Sequence, residues 1–447
     1  MAARLVEKFG AENVVTDSAK LAAYEVDGMR PAAAVRAGSV EEISDLLRFA
    51  APEKLAVIPC AGRTKLAIGA PPARYDFALD VSRMNRVLAY EPRDLTLGVE
   101  PGVLISDLWG VLMCEDQWLP VIEAFGEQAT IGGVLAADSA GPLRHGFGGP
   151  RDFTLGIEFV TGYGSKAKSG GRVVKNVTGY DLHKLLIGSL GTLGVITRAN
   201  FKTFPWPPAR DVFVAHFESC AETMEFCRAL QKSPLEPRLV DVISPEAEQM
   251  ISASAKTPLP LNAKGWTVIV GVTAHRRVVE RHAVELKELA SHHKAREFVR
   301  IGGENQSEIL NAACTVPSFF LAAEAGAVIF RIAAVPVAMA ALAARLATVA
   351  ASAEMKCATV LRPHGLVYFA LLPNGRPTAN VSRAALEVFR AADELGARAR
   401  IEFAPVELKR LVSVWGAARP DFELMRRVKN IFDPENVLSP GRFASGI

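Results

Sequence analysis

The sequence predicts an α+β protein built from more than one domain, and three observations carry that expectation. A chain of 447 residues, 50% hydrophobic and 22% charged, is long enough for two or three domains that each bury a core. Residues 1 to about 207 mix short strands and helices with many glycines, whereas from Asp211 longer strand-like runs alternate with helical ones. Thr203-Phe-Pro-Trp-Pro-Pro208 separates the two styles, because three prolines in four positions cannot continue a strand or helix interior.

In the first part, Ser39-Val-Glu-Glu42 has capping-box spacing, and Ile43, Leu46, Leu47 and Ala50 fall on one face of the helix that follows. Leu55 to Ile58 reads as a strand entering the loop Pro59-Cys-Ala-Gly-Arg-Thr-Lys65, with further strands at Phe77 to Val81, Leu95 to Glu100 and Leu155 to Val160. In the second part, strands are predicted at Val212 to Phe217, Leu239 to Ile243, Thr267 to Val272, Val328 to Ala333 and Leu366 to Leu372. Helices are predicted at Ala221 to Gln231, Val278 to His293, Val337 to Ala350 and Arg383 to Leu395. This alternation suits helices on one face of a mainly antiparallel sheet, or else βαβ crossovers. A last helix, Glu423 to Phe432, is stopped by Asp433-Pro434, and no short internal repeat is evident.

Composition excludes several classes. A net charge of +3 suggests neither disorder nor a polyanion-binding surface, so nucleic acid is not an expected partner. The six cysteines are scattered without a Cys-x-x-Cys pair, which argues against a zinc site, an iron–sulfur cluster or a disulfide framework. No metal site is therefore expected, and a reducing, cytoplasmic compartment fits. Glu7 and Lys8 stand where a signal peptide needs its apolar core. The most apolar run, Ile332 to Ala344, is interrupted by Pro336 and falls short of the ~20 residues a membrane span needs.

The most informative stretch is Gly171 to Thr197, where Gly188, Gly191 and Gly194 separate the apolar run Leu182 to Ile187 from the β-branched run Val195 to Thr197. Glycines at steps of three between such runs imply a sharp turn beside something flat or charged. The Rossmann pattern Gly-x-Gly-x-x-Gly and the P-loop pattern are both absent: Gly146-Phe-Gly-Gly149 lacks the third glycine and Gly62-Arg-Thr-Lys65 the upstream one. A different nucleotide cradle is implied. A buried diphosphate needs converging backbone amides and small residues around them. Ala61-Gly62-Arg63-Thr64-Lys65 has that character, as does Gly126-Glu-Gln-Ala-Thr130-Ile131-Gly132-Gly133 with Ala136-Ala137-Asp138-Ser139-Ala140-Gly141 beyond it. Each alone reads first as a tight turn; together, ahead of the Gly171 to Thr197 stretch, they form a constellation.

That constellation resembles the FAD-binding domain of the vanillyl-alcohol oxidase and p-cresol methylhydroxylase superfamily. The residues that carry the likeness are Gly62 to Leu66, Ile131-Gly132-Gly133, Arg151-Asp-Phe-Thr-Leu-Gly156, Gly179-Tyr180-Asp181-Leu182 and Gly188 to Gly194. Phe432-Asp-Pro434 and Pro440-Gly-Arg442 are similar to the superfamily's closing motifs. The resemblance runs from about residue 30 to the C-terminus and is thin across the middle. It implies a two-part FAD domain of p-cresol methylhydroxylase type, residues 1–207 completed by 401–447, with an α+β cap domain of mainly antiparallel sheet at 208–400. FAD would be held by Ala61, Gly62, Arg63, Thr64, Lys65, Leu66, Thr130, Ile131, Gly132, Gly133, Ala136, Ala137, Asp138, Ser139, Gly179, Tyr180, Gly191, Gly194, Val195 and Ile196. Non-covalent binding is expected, because the first loop offers no histidine and Cys60 reads as a buried strand-end thiol.

Within the superfamily, Lys175-Asn-Val-Thr-Gly-Tyr180 and Gly188-Ser-Leu-Gly-Thr192 look most like the FAD-binding E subunit of bacterial glycolate oxidase. The resemblance implies two-electron oxidation of a small 2-hydroxy acid, such as glycolate or D-lactate, beside a paralogous FAD subunit and an iron–sulfur subunit that takes the electrons. Any membrane association, on the inner face of the cytoplasmic membrane, would come through those partners. Catalytic relatives usually have Glu after Gly-Ser, where this chain has Leu190, and a paired histidine motif of which Pro363-His364-Gly365 is the remnant. Their later Glu-His-Gly motif appears as Glu402-Phe403-Ala404. These departures leave two rivals open: a self-sufficient FAD-dependent D-2-hydroxy acid dehydrogenase, and a flavin-loaded structural subunit that does not turn over.

Individual side chains are weak catalytic candidates. Lys175 or Arg442 would stabilise reduced anionic flavin if near its N1–C2 carbonyl, but each reads equally as a solvated charge. Tyr180 and Asp181 would flank the isoalloxazine, with Asp181 as a cap of the helix near Leu182 the plainer alternative. His364 alone reads as a structural residue, His145 as an exposed loop residue, and adjacent His292 and His293 cannot converge on one ligand.

Overall fold

The computed structural model describes residues 1–121, 126–172, 179–254 and 265–447. It divides into two units: Met1–Ala140, Gly149–Trp206 and Ala417–Ile447 form the first, and Gly141–Gly148 with Pro207–Gly416 form the second.

In the first unit, Ala33–Arg36, Phe77–Asp80 and Val57–Cys60 pair in parallel, with Val14–Val15 antiparallel at one edge. Phe77–Asp80 is buried along its whole length, as a parallel strand covered on both faces should be. The helix Val40–Ala50 buries Ile43, Leu46, Leu47 and Ala50 on this sheet. Its cap is a variant of the box: Ser39 Oγ accepts from the Glu42 amide at 3.1 Å, while the Glu42 carboxylate takes the amide of Gly38 rather than that of Ser39, at 2.7 Å.

A second sheet is antiparallel throughout, in the order Val87–Glu91, Thr96–Val99, Val195–Lys202, Thr154–Val160, Lys166–Gly170. Its central strand begins immediately after the turn that contains Gly188, Gly191 and Gly194. Phe204–Pro205 pairs with Gln117–Trp118 as a two-residue ribbon, so the proline-rich segment holds a short strand, in the edge position a proline tolerates.

The chain end returns to the first sheet. Val57 donates to the Val437 carbonyl at 2.8 Å and Ser439 to the Val57 carbonyl at 2.8 Å, which sets Val437–Ser439 beside Val57–Cys60 in parallel. From the helix Asp421–Phe432, Lys429 Nζ donates to the carbonyls of Thr192 and Leu438, each at 2.8 Å, and to Asp433 Oδ2 at 2.6 Å. One buried ammonium thus ties the returning segment to the glycine turn.

The second unit is built on an eight-stranded sheet in the order Glu297–Ile301, Ala209–Phe217, Trp266–Ala274, Leu239–Ile243, Lys356–Arg362, Leu366–Leu372, Val328–Ala333, Arg398–Phe403, with every pairing antiparallel. Every adjacent pair is thus antiparallel, and the βαβ crossovers are split ones, with a third strand inserted between the two that a helix connects. Each half has the strand order fourth, first, third, second, the split βαβ arrangement, and the halves join through Val242↔Leu361 and Ile243↔Val360. This topological repeat leaves no visible repeat in the sequence, because only the hydrophobic pattern has to be kept. Arg398–Phe403 pairs with Val328–Ala333, so the boundary expected at 400/401 falls inside a strand of this sheet, and the chain changes unit at 416/417 instead.

Candidate functional site

The first unit holds an open groove with ≈ 850 Å³ of space free of protein atoms, open solvent included. Three segments far apart in sequence supply most of it: the loop after Val57–Cys60, Thr130 with the helix Ile131–Ala137, and the turn from Ser189 into Val195, with Arg442 from the chain end. Among the described residues its lining contains no Asp or Glu, while Arg63, Lys65 and Arg442 contribute positive charge.

The loop after Val57–Cys60 has the geometry an anion requires. Arg63 stands in the left-handed region at φ 59°, and the backbone amides of Gly62, Arg63 and Thr64 donate to no acceptor among the described residues. Successive unspent amides around a left-handed residue form a concave nest for an oxyanion. The Arg63 side chain points elsewhere: it pairs with buried Asp80 at 3.0 Å and lies 4.8 Å over the Tyr24 ring, while Tyr24 donates to the same carboxylate at 2.7 Å. Arg63 therefore shapes the loop through its side chain and offers the ligand its backbone. A Cβ on Gly62 would coincide with the Gln128 carbonyl oxygen, so glycine is what lets this loop touch the next one.

Around Ile131–Gly133 the structure corrects the expected role. Thr130 caps the helix, its Oγ1 accepting from the Gly133 amide at 3.3 Å, and the Gly132 amide donates to the Pro101 carbonyl at 2.8 Å. Both amides are engaged within the protein. Gly132 is small because a Cβ would stand 2.8 Å from that of Pro101, whereas a Cβ on Gly133 meets only Thr130 Oγ1, at 3.4 Å. Gly133 leaves room in the groove, and its contribution is space.

The C-terminal segment closes one end. The buried Arg442 guanidinium donates to the carbonyls of Leu66 and Ile68, and burial pulls its pKa down. Arg442 is thus a clamp on the first loop as well as a positive charge in the groove wall. Cys60 also lines the groove, but burial first and the neighbouring Asp80 second push its thiol well above its usual pKa. It is not poised as a thiolate.

Of the residues expected to hold the cofactor, Ala61 to Leu66, Thr130, Gly132, Gly133, Ala136, Ala137, Gly191, Gly194, Val195 and Ile196 come together around the groove. Ile131 is turned into the core, Asp138 occupies a left-handed cap behind the helix, and Ser139 follows it; none of the three lines the groove. Gly179 has open space around it and Tyr180 is 90% exposed, so neither lines it. Asp181 pairs with Lys184 at 2.8 Å and caps no helix. Lys175 lies outside the described residues. Sequence reasoning missed Ile58, Pro59, Ile68, Val81, Pro101, Ser189 and Leu190 in the lining. Leu190, at φ 54°, carries the one signal that was available, a side chain inside a glycine-rich turn.

The second unit corrects two histidines. His145 sits on the short helix Arg144–Phe147 and is only partly exposed, and the fold sets its ring 6.1 Å from that of His364. His364 is therefore not alone. Gly146 anchors this helix: its amide donates to the Arg238 carbonyl at 3.2 Å, and a Cβ there would stand 2.6 Å from Arg238 Cα. Nearby, Arg400 donates to Glu402 at 3.1 Å with Arg331 4.0 Å from the same carboxylate, and buried Arg362 faces buried Asp241 at 3.3 Å.

Comparison with known proteins agrees with this geometry. Residues 31–169 match the FAD binding domain, and residues 416–443 match the C-terminal domain of the FAD linked oxidases. The chain is similar to glycolate oxidase subunit GlcD of Bacillus subtilis (strain 168), 25% identical over 98% of this chain and 95% of that one. It is 40% identical to glycolate oxidase subunit GlcE of Escherichia coli (strain K12) over 132 residues, 29% of this chain and 38% of that protein. The fold matches the crystal structure of p-cresol methylhydroxylase with substrate bound, at TM-score 0.80 and 18% identity over 99% of this chain and 95% of that one. An anion nest, a groove without carboxylates and a chain end that returns to complete it fit a bound FAD, and the two domain matches identify the chain as an FAD-binding oxidoreductase.

Proposed function

We propose that this protein is the E-type FAD subunit of a glycolate oxidase-like complex that oxidises a small 2-hydroxy acid and passes electrons to an iron–sulfur partner. FAD supplies the two-electron acceptor. The chain's own residues position it: the Arg63 nest and Thr64 take the diphosphate, Gly133 and Gly191 leave room for it, and Arg442 and Lys429 hold the closing segment in place. The observation that carries the subunit reading is the absence of an onward carrier: of the cysteines described, Cys60 and Cys227 are buried, Cys220 and Cys357 are half-buried and Cys114 is exposed, and no three His, Cys, Asp or Glu among the described residues are placed to hold a metal. Similarity to GlcE supports the same reading. Among the described residues no helix is long and apolar enough to cross a membrane, so any membrane contact would run through partners.

A self-sufficient dehydrogenase is the second reading, favoured by the His145–His364 pair and by full-length similarity to GlcD. Anaerobic stopped-flow separates the two. The purified chain should be reduced slowly or not at all by glycolate and D-lactate, and a tagged chain should retrieve a second FAD chain and a cysteine-rich iron–sulfur chain. Rapid bleaching of the isolated flavin at the rate of the intact complex would sink the partner-dependent reading.

A further inference from the structure

The second unit contains an open cavity of ≈ 290 Å³ beside the His145–His364 pair. We propose that it binds a small organic carboxylate, held by Arg238 and His145, and that the anion brings a proton from solvent onto the histidine pair.

The first argument is unsatisfied polarity. Nδ1 of His145 and both ring nitrogens of His364 are buried without a hydrogen-bond partner among the described residues. Each such group costs about 1–3 kcal/mol if nothing answers it. Three of them within two facing rings make a cluster that a ligand would complete.

The second argument is charge. His364 is faced by Arg362, His145, Arg144 and Arg331, and His145 by Arg238. Burial first and these cations second hold His364 neutral, with its pKa down at about 3, and His145 is pushed the same way. Arg362 faces Asp241 and Arg331 shares Glu402 with Arg400, whereas Arg238 makes a long contact to exposed Glu236, at 3.9 Å, a 3.4 Å bond to the Gly146 carbonyl and a stacking contact 5.6 Å from the Phe147 ring. A metal cation would enter against these arginines; an anion enters with them, and its charge reverses the field that keeps the imidazoles neutral.

The third argument is the wall. Leu230, Leu235 and Val240 contribute apolar lining, and Gln231, Arg238, His145 and Glu236 supply polar groups, the Glu236 side chain being 80% exposed. Apolar lining together with a guanidinium fits a short carbon chain ending in a carboxylate better than inorganic phosphate.

This inference goes beyond the hydroxy-acid reading and does not rest on it, because binding is measured whether or not the flavin is reduced. The test is calorimetric titration of the FAD-loaded, full-length protein at neutral pH with glycolate, D-lactate, acetate and phosphate, each in two buffers of different ionisation enthalpy. Saturable binding of carboxylates at millimolar concentration with net proton uptake is the expected result. Tighter binding of the hydroxy acids than of acetate would identify the substrate as the source of the carboxylate; equal binding would identify a carboxylate that is not oxidised. Arg238→Gln should weaken binding about tenfold or more, the loss of a charge-assisted hydrogen bond, and His364→Gln should abolish the proton uptake, with FAD content retained in both. No binding of any carboxylate, binding of phosphate alone, or carboxylate binding without proton uptake in the unmodified protein would overturn the proposal, and the last of these needs no variant to fold.

Discussion

Replacing Lys429 with methionine tests whether one buried ammonium holds the chain end against the cofactor groove. Lys429 is 3% exposed and Asp433 is 1% exposed. The Lys429 ammonium donates to Thr192 O, Leu438 O and Asp433 Oδ2, while Asp433 also accepts from the amides of Val437 at 3.0 Å and Leu438 at 2.7 Å. Methionine fills similar volume but donates nothing, leaving a buried carboxylate held by two amides and two carbonyls without their donor. Removing one partner of a buried pair costs about 3–5 kcal/mol. At roughly 2–4 °C per kcal/mol for a domain of this size, the first unit should melt ~6–20 °C lower. FAD occupancy should fall too, because Thr192 lies between the groove-lining residues Gly191 and Gly194. Differential scanning calorimetry with flavin absorbance reads both effects. Lys429→Met combined with Asp433→Leu should recover at least half of the loss, since replacing both partners by apolar groups is often nearly neutral. A single variant that melts within about 2 °C of the parent and keeps its flavin would refute the clamp, given the 3–5 kcal/mol expected for a buried pair.

Gly133→Val should yield a folded apoprotein that binds FAD poorly, whereas Gly62→Ala should cost about 3 kcal/mol or more through the clash with Gln128; spectroscopic FAD content and thermal melting of the two variants distinguish them. Acid precipitation should release all the flavin into the supernatant, because Cys60 is held as a protonated thiol; colour left on the pellet would show a covalent link. Because the folded pKa of His364 lies near 3, below the 6.5 of the unfolded residue, its stability contribution is complete above pH 6.5 and is lost as pH falls and the unfolded chain takes up the proton. That amounts to about 2 kcal/mol by pH 5, and denaturant unfolding of His364→Gln should lack this part of the acid loss.

Much of this protein was legible without coordinates. Ser39 and the spacing Ile43, Leu46, Leu47, Ala50 located the helix Val40–Ala50, and the runs Leu239–Ile243, Val328–Ala333 and Leu366–Leu372 proved to be strands over those same residues. Such elements are readable because periodicity and capping are local properties of the chain. The same locality explains the failures. Glu297–Ile301, Lys356–Arg362 and Arg398–Phe403 carry charged or short patterns that become strands only because a neighbour supplies the ladder, so pairing decided them.

For the groove, the residue types in the sequence set what was chemically available: small residues at 61–62, 132–133, 191 and 194, and FAD as the ligand that the set's family resemblance implies. Tertiary structure alone decided how each is used. It engaged the Gly132 amide with Pro101, turned the Arg63 side chain to Asp80 while leaving its backbone amide unspent, and left Tyr180 in solvent. It brought Lys429 and Arg442 across more than two hundred positions to the turn and loop they hold, and set His145 against His364. Sequence spacing carries information about neighbours within a few residues, whereas a hydrogen bond or a buried charge depends on distance in space, and only the packed chain specifies which distant residues meet.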